Sequence, residues 1–318
     1  MLRDVPPLLL SFEDFWPDFD PNSFFVPFVS GVFGTEAITV NRKDADLVFS
    51  SVFPRTSPVA RARRKAFRLF GSPLPNKPLT PGDAQGQKRI FFTGENRRPP
   101  LANYDLSFSF DTDVYDGSNH YFPLVMLGLD WFGNEAFFRS SEFRRVGISA
   151  VPDQVASRRS TNVHLRKKFV CAFISNPEPT RMRAIKALES IGQVDVFGVV
   201  SGKKVEEKLE IAREYRFMLC FENDLYPGYV TEKPLEAWLT GCIPLWWGND
   251  KAGILNDASM LNLANYSSLA SFVSAVEALN GNQELLLRRG SQPLFRQVPS
   301  LLPYAQALRR LMPNFSIL

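Results

Sequence analysis

The sequence predicts an α/β protein of two domains, the second built on a parallel sheet, and three observations predict it. In this chain of 318 residues, segments from about residue 165 onward alternate buried-type strands with amphipathic helices, the pattern of repeated βαβ units. The first half alternates short apolar runs with loops. Between the halves, the stretch 152–168 opens on Pro152 and is rich in Arg and Ser, so it reads as a linker. The expected domains are 1–155 and 156–318, with the last helix able to pack back on the first.

Taken in order, Pro7 to Ser11, Ala45 to Phe49, Arg89 to Phe92 and Tyr104 to Phe110 read as strands. Residues 54–87 carry six prolines and a basic run of Arg61, Arg63, Arg64, Lys65 and Arg68. They read as a loop insertion with one short helix, either a solvated helix face or a patch for an anionic acceptor or a membrane surface. In the second half, Phe169 to Ile174 is a strand and Arg181 to Ile191 a helix with Met182, Ile185 and Leu188 near one face. Val194 to Phe197 is a strand, and Lys203 to Arg213 a charged helix burying Val205, Leu209 and Ala212. Phe217 to Phe221 is a strand, Glu232 to Thr240 a helix stopped by Gly241, and Cys242 to Trp246 a strand.

Composition removes several classes. A hydrophobic fraction of 45% with 22% charged residues excludes a disordered or fibrous chain. A net charge of +4 is too small to make nucleic acid the main partner. Cys171, Cys220 and Cys242 lack zinc-type spacing, and His120 and His164 lie far apart, which argues against a zinc centre and a disulfide framework. The apolar run Pro6 to Leu10 is broken by Glu13 and Asp14, too short for a signal segment or a membrane span. The expectation is a cytoplasmic protein with reduced thiols, in which the sequons at Asn265 and Asn314 are chance matches.

Ligands of such sheets sit at the carboxyl ends of the strands, so the loops there carry the chemistry. Three stand out: Thr93-Gly94-Glu95-Asn96; Ser175-Asn176-Pro177 with Arg181 beyond; and Glu222-Asn223 followed by Gly228-Tyr229-Val230-Thr231-Glu232-Lys233. The last puts a carboxylate and an ammonium in the first turn of a helix, with Thr231 as N-cap and Pro234 tolerated in that turn. A helix N-terminus with a lysine beside it suits a diphosphate. No G-x-G-x-x-G or P-loop is present. Asp111-Thr112-Asp113 has the D-x-D form of some metal sites, but two acids at that spacing are common by chance.

At these loops the sequence resembles the α-1,3-fucosyltransferases of glycosyltransferase family 10. The resemblance runs through Phe221-Glu222-Asn223, Gly228 to Lys233, Ala237-Trp238 and Ile243 to Gly248, then Phe91 to Asn96 with Arg98-Pro99, Ser175 to Pro177 with Arg181, and Asp14 to Pro17 with Phe19 to Pro21. Asp224 to Pro227, Pro234 and the long 54–87 region depart from the family's pattern. The resemblance implies a GT-B fold of two Rossmann-like domains facing a central cleft, and inverting transfer from GDP-fucose to a GlcNAc-containing, N-acetyllactosamine-like glycan. It implies no required cofactor, Mn or Mg being at most a stimulant. By the same resemblance Glu95 is the base and Arg181 and Lys233 clamp the diphosphate. Glu232 meets fucose or the developing oxocarbenium charge, and Asn223 and Tyr229 line the donor pocket. From the residues alone, Glu95 is equally a solvated loop acid, Arg181 and Lys233 surface charges, Glu232 a helix-end acid, and Asn223 and Tyr229 turn or core residues.

Overall fold

The computed structural model describes residues 6–53, 86–133, 151–198, 202 and 207–315. The chain divides into two compact units, Met1–Phe122 with Leu301–Leu318 and Pro123–Ser300.

The first unit holds a six-stranded sheet of β1 (Leu8–Glu13), β2 (Ala37–Thr39), β3 (Leu47–Ser50), β4 (Lys88–Phe92), β5 (Leu106–Ser109) and β6 (Asn119–Tyr121). The order is β2-β1-β3-β4-β5-β6, and every pairing is parallel. Both faces of a parallel sheet must be covered, and its inner strands are accordingly buried: all four residues of β3 and of β5 are buried. Helix α1 (Phe25–Phe33) buries Phe25, Phe28, Val29, Val32 and Phe33. These positions follow the helical period, but Val26 and Pro27 between them leave the helix apolar on most sides. Gly34 ends it at φ 63°, donating its N–H to Ser30 O at 2.8 Å, a left-handed cap that suits glycine. The helix Leu302–Leu311 packs on α1, and its Tyr304 hydroxyl donates to Tyr121 O at 2.8 Å.

The second unit contains α2 (Pro152–Val155), β7 (Lys168–Phe173), α3 (Pro179–Leu188), β8 (Val194–Phe197), α4 (Lys208–Ala212) and β9 (Tyr215–Leu219). It continues with α5 (Lys233–Leu239), β10 (Ile243–Trp246), β11 (Leu261–Asn262), α6 (Leu269–Asn280) and α7 (Gln283–Gly290). Its parallel strands lie in the order β11-β10-β9-β7-β8. The core joins Val170, Ala172, Phe217, Leu219, Ile243 and Leu245 of the sheet to Ile185 and Leu188 of α3 and Phe272 and Val276 of α6. Each of the Val, Leu, Ile and Phe side chains, once buried, is worth about 1.5–3 kcal/mol. Residues 152–168 are not a bare linker: Val155 and Val163 are fully buried, which ties the segment into this unit. Of the helix expected from Lys203, residues 203–206 lie outside the described residues, as do the basic residues Arg61, Arg63, Arg64, Lys65 and Arg68.

Candidate functional site

In the second sheet the chain moves outward from β7 to β8, then returns to lay β9 on the other side of β7. That reversal opens a crevice at the carboxyl ends of β7 and β9, the usual ligand position of an open α/β sheet. Helix α3 begins there. Glu178 caps it, accepting from the N–H groups of Thr180 and Arg181 at 2.9 Å each, and Arg181 therefore sits in the first turn, pointing across the reversal. Its guanidinium donates to Asn176 O at 2.6 Å in the loop after β7, and to Phe221 O at 2.7 Å, Glu222 O at 3.1 Å and Asn223 Oδ1 at 3.2 Å in the loop after β9. Arg181 is 4% exposed. Burial lowers its pKa from the ordinary arginine value, while Glu178 and Glu222 oppose that shift.

The second cation belongs to the same loop. Gly228 takes φ 87° and donates its N–H to Asn249 O at 2.8 Å, a turn that a side chain would strain. The chain then returns to Glu222, whose carboxylate has no exposure. Glu222 accepts from Thr231 N at 2.9 Å, Thr231 Oγ1 at 2.7 Å, Lys233 Nζ at 2.9 Å and Trp246 Nε1 at 3.3 Å. Lys233 Nζ also donates to Thr231 Oγ1 at 2.9 Å. Desolvation works against the Lys233 charge, but Glu222 and then Glu232 outweigh it, so its pKa stands above the ordinary lysine value.

Thr231 caps the helix only loosely: its Oγ1 accepts the Lys233 N–H at 3.5 Å while its hydroxyl proton goes to Glu222, and backbone of helical type has already begun at Glu232, φ −65° and ψ −18°. Glu232 lies 4.0 Å from Lys233 Nζ with a side chain 41% exposed. Desolvation raises its pKa, but Lys233 and Lys208 more than reverse this, and the net shift is downward. Tyr229 is 2% exposed, so it lies within the packed interior behind this loop. Gly241 takes φ 85° just beyond α5, as its place after the helix requires.

In the first unit, Glu95 follows β4. The Thr93 hydroxyl, fully buried, donates to Glu95 O at 2.7 Å and accepts from Glu95 N at 3.1 Å, which fixes the backbone while the Glu95 side chain stays half-buried. Asp111 accepts from the Tyr115 hydroxyl at 2.9 Å and pairs with Arg98 at 3.6 Å. Among the described residues no group of three or more His, Cys, Asp and Glu side chains gathers as metal ligands do. No described helix is long and apolar enough to cross a membrane.

The structure thus gathers Arg181, Asn223, Glu232 and Lys233 at one end of one sheet. The residue that sequence reasoning missed is Glu222. It stood in plain view between an apolar strand and Asn223, and a carboxylate that close to a buried strand needs a cationic partner. Lys233 is that partner, while Arg181 meets the backbone carbonyl of Glu222.

The pattern matches known proteins. The family model for the C-terminal region of glycosyltransferase family 10 (fucosyltransferase) matches residues 163–289. The alpha-(1,3)-fucosyltransferase FucT of Helicobacter pylori is 28% identical over 239 residues, 69% of this chain and 49% of that protein. The 4-galactosyl-N-acetylglucosaminide 3-alpha-L-fucosyltransferase 9 of Cricetulus griseus is 27% identical over 129 residues, 38% of this chain and 36% of that protein. The chain thus spans about half the length of the first relative and about a third of the second. A crystal structure of an alpha1,3-fucosyltransferase with GDP-fucose superposes with a TM-score of 0.68 at 22% identity, covering 100% of this chain and 94% of that one. This likeness establishes the fold, two parallel-sheet α/β domains of the GT-B type.

Proposed function

We propose that this chain, whose residues 163–289 match the model of the C-terminal region of glycosyltransferase family 10, is an inverting fucosyltransferase. It moves L-fucose from GDP-fucose to a hydroxyl of a GlcNAc-containing, N-acetyllactosamine-like glycan, in α-1,3 linkage. The observation that carries the reading is the convergence of Arg181 and Lys233 on Glu222 at the strand-order reversal of the second sheet. Two cations held there meet the requirement of a leaving diphosphate, which gathers charge as the glycosidic bond breaks.

In this reading Glu95 takes the proton of the acceptor hydroxyl as its oxygen attacks the anomeric carbon from the side opposite GDP. Arg181 and Lys233 receive the diphosphate, Glu232 faces the fucose ring as positive charge develops, and Asn223 contacts the donor. Tyr229 shapes the pocket from behind. In this reading Arg181, Lys233 and the N–H groups that open α5 meet the diphosphate, and no metal is required for binding. The reaction in this reading runs in the cytoplasm, where the thiols of Cys171, Cys220 and Cys242 stay reduced. The partners are donor and glycan, with no nucleic acid.

Thermal unfolding with GDP in buffer stripped of divalent ions tests the clamp. Ligand bound to the native state raises Tm. No rise at millimolar GDP, or a rise only after Mg or Mn is added, contradicts it.

A further inference from the structure

The first sheet has its own reversal, between β1 and β3, since β2 lies on the far side of β1. The roles proposed above leave that second crevice unused. Its walls are aromatic. At the end of β1, Asp14 takes φ 56°, and its carbonyl accepts the N–H of Phe53, beyond β3, at 2.6 Å. A non-glycine residue held at such an angle costs on the order of 1–3 kcal/mol and persists where its surroundings over-determine it. Here the tie between the two loops does so.

The chain then presents Trp16. Pro17 follows it, and the N–H of Phe19 returns to Trp16 O at 3.1 Å, closing a tight turn. The indole ring is braced by Phe19 at 5.1 Å, Phe15 at 5.6 Å, Phe53 at 6.0 Å and Phe92 at 6.5 Å. Phe25, Phe49 and Phe92 behind this group are sealed from solvent, while Trp16 is only partly buried. Phe92 closes β4, and Glu95 is three residues further along the same loop. A partly exposed tryptophan on a stiff turn, at a reversal of strand order and one strand from the loop that carries Glu95, is more than core packing requires.

We propose that Trp16 is the stacking platform for a pyranose ring of the acceptor glycan, an inference that rests on the reading of Glu95 as the base. One face of a pyranose is a patch of C–H bonds, and its hydroxyls lie at the rim. The patch lies flat on an electron-rich indole, which leaves the hydroxyls free to reach polar groups. An aromatic side chain already fixed by its neighbours loses little freedom when the sugar arrives.

The test combines steady-state kinetics with ligand-observed NMR on wild type, Trp16→Ala and Trp16→Phe, using GDP-fucose and N-acetyllactosamine. Trp16→Ala should raise KM for the acceptor about five- to tenfold, with kcat within about twofold and GDP-fucose affinity unchanged. Trp16→Phe, which keeps a ring and protects the fold, should recover most of the loss. Saturation transfer to the acceptor's ring protons, measured without donor, should be present in wild type and lost in Trp16→Ala. An unchanged acceptor KM in both variants, or a loss confined to kcat, overturns the platform. If wild type transfers no fucose at all, the fucosyltransferase reading fails by itself. The NMR arm then still decides, because saturation transfer absent from the wild type as well overturns the platform.

Discussion

Lys233 Nζ stands 2.9 Å from Glu222 Oε2, a carboxylate with no exposure to solvent. Neither charge is tolerable there without the other, since removing one partner of a buried pair strands its neighbour. Lys233→Ala should therefore destabilise the chain by about 3–5 kcal/mol, as well as weaken GDP binding. The double variant Lys233→Ala, Glu222→Gln should regain most of the stability and none of the GDP affinity. Urea unfolding and calorimetry on the same samples separate the two losses, and a double variant that binds GDP normally would remove Lys233 from the clamp.

Arg181 reaches acceptors on both sides of the β7–β9 crevice, a span that needs a planar fork with several donors. A lysine has one compact ammonium and cannot make these contacts together. Arg181→Lys should cost about 1.5–3 kcal/mol in stability and lower GDP affinity with it. Retention of both would show that the carbonyls it serves find other donors.

The strands were legible in the sequence wherever they formed apolar runs: β3, β4, β7, β9 and β10 lie within about two residues of their expected positions. β2, β6 and β11 were not, because two or three residues, several of them polar, carry no period. α1 escaped for the opposite reason, being apolar nearly all round. The site's charged residues were legible as motif letters, but their pairing was not. Nothing in the order of residues reveals that Glu222 turns inward to hold Lys233 and Thr231, since that depends on the return of the chain through Gly228.

Glu95→Gln keeps the size of the side chain and removes its capacity to take a proton. Transfer should fall by roughly 10²- to 10⁴-fold, while GDP-fucose affinity, assigned to the other unit, stays at the wild-type value. Initial rates and calorimetry on the variant check both halves. Full activity would move the role of base to another acid, with Asp105 and Asp111 the next to substitute.

His120 on β6 gives the first unit an acid limit. Its Nε2 is buried with no hydrogen-bond partner among the described residues. Burial, then Arg310, lowers its pKa below the ordinary histidine value. The unfolded chain therefore takes up the proton first. Stability from this group is complete above about pH 6.5 and declines as pH falls from there toward the lower native pKa. Urea midpoints at pH 7.5 and about 5.5 should differ more for wild type than for His120→Asn. Equal differences would show that His120 is not the group that titrates.

The central claim is fucosyl transfer from a guanosine donor, and a competition reaction tests it most directly. The full chain is incubated with N-acetyllactosamine and equal amounts of GDP-fucose, GDP-mannose and UDP-glucose, and the product is read by mass spectrometry. The account predicts an acceptor heavier by one deoxyhexosyl residue. A hexosyl product, or no product while GDP-fucose is present, would contradict it.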